Sequence, residues 1–82
     1  MTTVHTVRLN GADHEVALGS TLRDIVADLT GHRLSDDGSR HDGGRLGVAA
    51  AVGGAVVPRS RWALRTIADG DEIEIVTAAQ GG

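Results

Sequence analysis

Asp69-Gly70-Asp71-Glu72-Ile73-Glu74-Ile75-Val76 decides how this chain folds. Asp-Gly-Asp reads as a tight turn, because glycine supplies a positive φ at no steric cost and aspartate bonds to its own backbone neighbours. Beyond it, Glu72 and Glu74 alternate with Ile73 and Ile75, the period-two pattern of a strand with one buried face. That strand is expected over Glu72–Val76, with Ile73 and Ile75 inward. Only Thr77-Ala78-Ala79-Gln80-Gly81-Gly82 follow it, a polar tail closing on a glycine pair. A strand reached so late must find its neighbours upstream.

Those neighbours are legible. Val4–Leu9 alternates, placing His5, Val7 and Leu9 on one side and Val4, Thr6 and Arg8 on the other. Asn10-Gly11 follows, a two-residue hairpin signal because both central residues of a type I′ turn need positive φ. His14–Leu18 alternates again, with Val16 and Leu18 expected inward. Ser20 or Thr21 can cap a helix, and Leu22, Ile25, Val26 and Leu29 fall at i, i+3, i+4 and i+7 along one helical stripe. Gly31 stands where a left-handed C-cap would end that helix. Leu46–Val52 reads as a strand with Val48, Ala50 and Val52 on one face. Gly53-Gly54 is a second hairpin turn, Ala55–Val57 a short strand, and Ser60–Leu64 a helical turn carrying Trp62. The order β-β-α-β-β-β, with one apolar helix to cover one sheet face, gives an α+β β-grasp arrangement. A mixed sheet of four to five strands packs on the helix, its last strand central and parallel to the first. The domain is expected over residues 1–76 and the flexible tail over 77–82. Residues 32–45, with three arginines against three aspartates, form a long loop whose composition favours disorder.

Composition narrows the function. Eighty-two residues make one domain. No cysteine is present, so disulfides, thiolate nucleophiles and Cys-based metal sites are excluded. The net charge of -3, without a basic stripe, argues against nucleic acid. No apolar run approaches membrane-spanning length and no apolar leader follows Met1, so a cytoplasmic protein with no membrane association is expected. All eight basic residues are arginine. With neither lysine nor cysteine, an activated C-terminus could be captured internally only by the α-amine. Phe and Tyr are absent and Trp62 is the sole aromatic, so the core must be aliphatic.

Autonomous catalysis finds little support. No GxxxxGK[ST] phosphate loop exists, and the glycine pairs at 43-44, 53-54 and 81-82 fit turns and a tail. His5, His14, His32 and His41 lack metal-ligand spacing, so no metal site is expected. Ser20, Ser35, Ser39 and Ser60 lack histidine–acid partners. Asp69-Gly70-Asp71 lacks the later ligands of a calcium loop and is read as a turn. No cofactor is expected on this chain.

What remains is the tail and the sheet. A glycine pair can thread a narrow slot where a Cβ would clash, and its carboxylate, with an ordinary pKa near ~3.5, is ionised at neutral pH. The plain alternative is a frayed end. On the sheet, Ala49, Ala51 and Val57 are expected to alternate with core positions and leave a modest apolar patch, a common partner surface; scattered exposed apolar residues are the plain alternative. Trp62 either shapes the partner-facing side or packs over the open end of the sheet as buried area.

Several stretches resemble the ThiS sulfur carriers of thiamine biosynthesis, ubiquitin-like proteins related to the MoaD molybdopterin carriers. They are Val48-Ala49-Ala50-Ala51-Val52-Gly53-Gly54-Ala55-Val56-Val57-Pro58-Arg59, Trp62-Ala63, Ile67 through Val76, and Gln80-Gly81-Gly82. The terminal glycines and Asp-Gly-Asp are shared with MoaD; Val57-Pro58-Arg59 with Trp62 is closer to ThiS. The family usually has Asn near Gly53 or Val52, and glycine serves that turn equally well. The resemblance implies a carrier and not an enzyme. The Gly82 carboxylate would be adenylated by a ThiF-like E1-type adenylyltransferase, which uses ATP. A sulfur donor enzyme would convert the adenylate to a thiocarboxylate, and a ThiG-like thiazole synthase would accept the sulfur. Gly81, Gln80, Ala49, Ala51, Val57 and Trp62 are then the expected partner contacts. A carrier for molybdopterin, cysteine or a secondary metabolite, a protein-conjugating modifier, and a plain β-grasp interaction module are the alternatives.

Overall fold

The computed structural model of the protein describes residues 3–44 and 46–77. Its elements run β1 (Val4–Leu9), β2 (Ala12–Ala17), α1 (Leu22–Thr30), β3 (Val48–Val52), β4 (Ala55–Val57), a 3-10 helix (Arg59–Leu64) and β5 (Glu72–Thr77). The five strands form one mixed sheet in the order β2-β1-β5-β3-β4. The last strand is therefore central, parallel to β1 and antiparallel to β3. One helix over one face of such a sheet is the ubiquitin-like β-grasp of the α+β class.

Local chemistry explains the elements. Asn10 and Gly11 have φ of 52° and 84°, both positive as the two-residue turn between Leu9 and Ala12 requires. Thr21 caps α1 through a reciprocal box: its hydroxyl accepts from the Asp24 N–H, and the Asp24 carboxylate accepts from the Thr21 N–H. Gly31, in the left-handed region, closes the helix by donating to the Ala27 carbonyl.

The core gathers Leu22, Ile25 and Val26 from α1 against Val7, Val16, Ala50, Val52, Ile73 and Ile75 from the sheet, with Leu46, Trp62 and Ile67 completing it. Two apolar residues expected inside are not. Leu18 is 50% exposed. β2 ends at Ala17, and the chain turns at Gly19 towards α1, leaving Leu18 beyond the covered part of the sheet. Leu29 is also 50% exposed, because it borders surface grooves in the last turn of α1.

Residues 32–44, whose composition suggested disorder, carry a hydrogen-bond pattern of their own. Leu34 and Arg40 form a bridge. His41 donates to the Arg33 carbonyl at 2.7 Å and Ser35 to the Ser39 carbonyl at 2.8 Å. Arg23 of α1 pairs with Asp36. The Arg40 guanidinium and the Gly44 N–H hold the Asp42 carboxyl down at about 2. The loop docks at Gly38, which is buried with φ +83°. A Cβ there would stand 2.0 Å from the Arg59 Cγ and 2.6 Å from its carbonyl oxygen. Arg59 in turn donates to the Leu46 carbonyl and lies 5.8 Å from the Trp62 ring centroid, so one arginine joins loop, 3-10 helix and core.

Trp62 is 1% exposed, and its indole N–H donates to the Val57 carbonyl at 2.9 Å. It is a core residue, not a partner-facing one. A chain without Phe or Tyr uses its single large ring for buried area, and the ring's one polar atom finds a backbone acceptor.

Three outcomes follow from these contacts. Gly38→Ala is expected to cost about 1–3 kcal/mol through backbone strain and the clash with Arg59, seen as a lowered Tm by circular dichroism; an unchanged Tm contradicts the docking of the loop. Trp62→Ala is expected to cost about 3–5 kcal/mol, a large part of the stability of so small a domain, measured by urea unfolding. For Asp42, the folded-state pKa is depressed, so its contribution is present above the unfolded value and lost as pH falls through about 2. A carboxyl-detected NMR titration should therefore show Asp42 still ionised where ordinary carboxylates have protonated.

Candidate functional site

The alternation of β5 sorts its side chains. Ile73 and Ile75 are buried under α1, while Glu72, Glu74 and Val76 project from the opposite, uncovered face. Register then fixes their neighbours. Ala49 lies opposite Val76, and Ala51 opposite Glu74 on one side and Val56 on the other. The uncovered face thus has an apolar half of Ala49, Ala51, Val56 and Val76. Its other half is charged: Arg8 pairs across the ladders with Asp13 and Glu72, and Thr6 with Glu15.

The expected patch is corrected at one position. Ala49 and Ala51 do lie on the uncovered face, but Val57 does not. Val57 pairs with Ala50, a core residue at 2% exposure, and packs against the core. Val56 takes the outward place at 74% exposure. The signal was available: a two-residue Gly53-Gly54 loop pairs Val52 with Ala55, and counting back puts Val57 opposite Ala50. Val76, 61% exposed, was also missed, although the alternation that buries Ile73 and Ile75 turns it outward. It is the residue of this face nearest the tail.

Both ends of the short β1–β5 pairing are fastened by side chains. At one end the Asp69 carboxylate accepts from the Thr6 N–H at 2.9 Å, and the Gly70 N–H donates to the Thr6 carbonyl at 2.8 Å. The Asp71 carboxylate accepts from the Ala68 N–H at 2.8 Å and lies 3.5 Å from Arg65. Both aspartates of the turn are occupied in shaping it. At the other end the Asn10 carboxamide bonds to both the N–H and the carbonyl of Ile75. Ladder strand length agrees with expectation to one residue, β5 ending at Thr77.

Beyond Thr77 stand Gln80, Gly81 and Gly82, which lie outside the described residues. Two hollows border β5, one near its end and one near its start. A groove of about 290 Å³ on the helix side is lined by Leu29, His32, Leu46, Val48 and Ile75, with Thr77 at its rim. A polar cleft of about 410 Å³ lies among Arg8, Gly11, Gly54, Glu72 and Glu74. Among the described residues, no group of three or more His, Asp or Glu side chains is placed to hold a metal ion. No helix among them is long and apolar enough to cross a membrane. The described residues therefore present an exposed apolar face on the strand that leads to the end of the chain.

No curated protein matches the chain. The sequence model of the ThiS family matches residues 7–82, from the middle of β1 through the terminal glycine pair. With a ubiquitin-like sheet that leads its central strand into that tail, the chain belongs to the ThiS family, small sulfur carriers that are not themselves enzymes and that work with adenylating and sulfur-transferring partners.

Proposed function

We propose that this protein carries sulfur as a thiocarboxylate on Gly82 and donates it to the thiazole of thiamine. The observation that carries this reading is the family match running through Gly81-Gly82, on a fold whose central strand ends five residues before Gly82. In the first step, a Gly82 carboxylate oxygen attacks the α-phosphorus of ATP held by an E1-type adenylating partner, and pyrophosphate leaves. A sulfur donor then displaces AMP, which keeps that oxygen, and sulfur takes its place on the carbonyl carbon. A thiazole synthase accepts the sulfur and returns the carboxylate.

The chain's own chemistry supports each role. It has no phosphate-binding loop, so ATP falls to the partner. Residues 78–82 span at most ~17 Å when extended, enough to enter a partner's site while Ala49, Ala51, Val56 and Val76 dock outside. Glycine has no stereocentre, so activation cannot epimerise it. With no lysine or cysteine in the sequence, the adenylate meets no amine or thiol side chain of its own chain.

The test is intact mass spectrometry after incubation with the adenylating partner, ATP and a sulfur donor. The mass is expected to rise by the difference between sulfur and oxygen, and a chain lacking Gly82 should stay unchanged. An unaltered mass in the presence of a competent partner would sink the proposal. Copurification with a thiazole synthase, and not with a molybdopterin synthase subunit, supports the thiamine assignment over the other carrier pathways.

A further inference from the structure

β1 pairs with β5 only at Arg8↔Glu72 and Leu9↔Ile73, yet β5 runs on to Thr77. Asn10 fills the next rung. Its Oδ1 accepts from the Ile75 N–H at 2.9 Å, and its Nδ2 donates to the Ile75 carbonyl at 3.3 Å. Its own backbone N–H donates to the Ile73 carbonyl at 2.9 Å. The carboxamide thus makes the two bonds to Ile75 that the carbonyl of residue 10 and the N–H of residue 12 would have made had β1 continued. β1 itself cannot supply them, because residue 10 is already in the left-handed region with φ 52° and begins the hairpin turn.

The turn does not need an amide. Glycine would adopt that φ freely, and aspartate tolerates it nearly as well. Only asparagine combines the left-handed backbone with a side chain that donates and accepts like a peptide group. What this combination secures is Ile75, two residues before β5 ends.

We propose that Asn10 is a positioning residue for the sulfur-loading reaction, its carboxamide fixing the base of the tail so that the Gly82 carboxylate is delivered within reach of the activating centre. The reaction it serves is the one proposed above; the anchoring of Ile75 stands apart from it. Without the amide, Ile75 through Thr77 are held by β3 alone, through pairings with Ala50, Ala49 and Val48. Each rung that frays adds a residue to the length of chain between the sheet and Gly82. A longer tether lowers the effective concentration of the carboxylate at the partner's centre, while the outer face still docks.

Asn10→Gly keeps the turn and removes the amide, and Asp69→Ala loosens the opposite end of the same strand pair by removing the acceptor of the Thr6 N–H. Both are compared with the unaltered chain well below their melting temperatures. In native-state hydrogen exchange, the Ile75 amide of Asn10→Gly is expected to exchange on the order of tenfold faster, with the Val7 amide little changed. In ATP–pyrophosphate exchange with the chain's adenylating partner, its kcat should fall by on the order of fivefold. Its KM should stay within about twofold. Asp69→Ala should lose stability and keep its kcat. An unchanged kcat for Asn10→Gly, or an equal fall for Asp69→Ala, overturns the positioning role. Failure of the unaltered chain to support exchange overturns the carrier chemistry itself. The Ile75 amide still tests the anchor then, since equal protection in Asn10→Gly and the unaltered chain refutes it.

Discussion

The structure depends on how a strand made last is seated in the middle. β5 occupies the centre of the sheet, but β1, β2 and α1 lie more than forty residues earlier in the chain. Its backbone pairing with β1 is only two residues long. Side chains complete it: the Asp69 carboxylate takes over at Thr6, and the Asn10 carboxamide takes over at Ile75. Between them the parallel register is fixed, and with it the inward direction of Ile73 and Ile75. A slip of one residue would turn both isoleucines to solvent and both glutamates into the core. Seating β5 therefore decides the core, the uncovered face and the point where the tail departs.

Much of this was legible because it depends on local chemistry. Asn10-Gly11 and Gly53-Gly54 announced two-residue hairpins, and both are found. The Leu22, Ile25, Val26 stripe and the Gly31 cap announced the helix. The β-grasp order followed from one apolar helix needing one sheet face. Illegible were the features set by tertiary register and coverage. Leu18 obeys its strand's alternation but lies past the end of β2, and Leu29 obeys its helix's periodicity but borders a groove. Periodicity gives a direction and says nothing of whether anything waits there.

The site shows the same division. Ala49 and Ala51 were placed by alternation within one strand. Val57 turns inward because the parity of β4 is counted across a turn, and residue type alone does not decide the place of Trp62, because an indole suits a core and an interface equally. The order of the 32–44 loop rests on Gly38 meeting Arg59 twenty-one residues later, a contact no composition reveals. The tail is legible only as residue types, a terminal glycine pair in a chain with no lysine and no cysteine.

Trp62 has a practical consequence. It is the protein's only aromatic residue, so near-ultraviolet absorption and intrinsic fluorescence come from one ring. That ring is sealed in the core beside Arg59, on the side of the sheet away from Val56 and Val76. Its emission is a clean optical gauge of whether the domain is folded. For the same reason it is a poor witness to docking, since a partner settling on the uncovered face leaves the fluorophore's surroundings as they were. Binding on that face has to be followed by a label placed there.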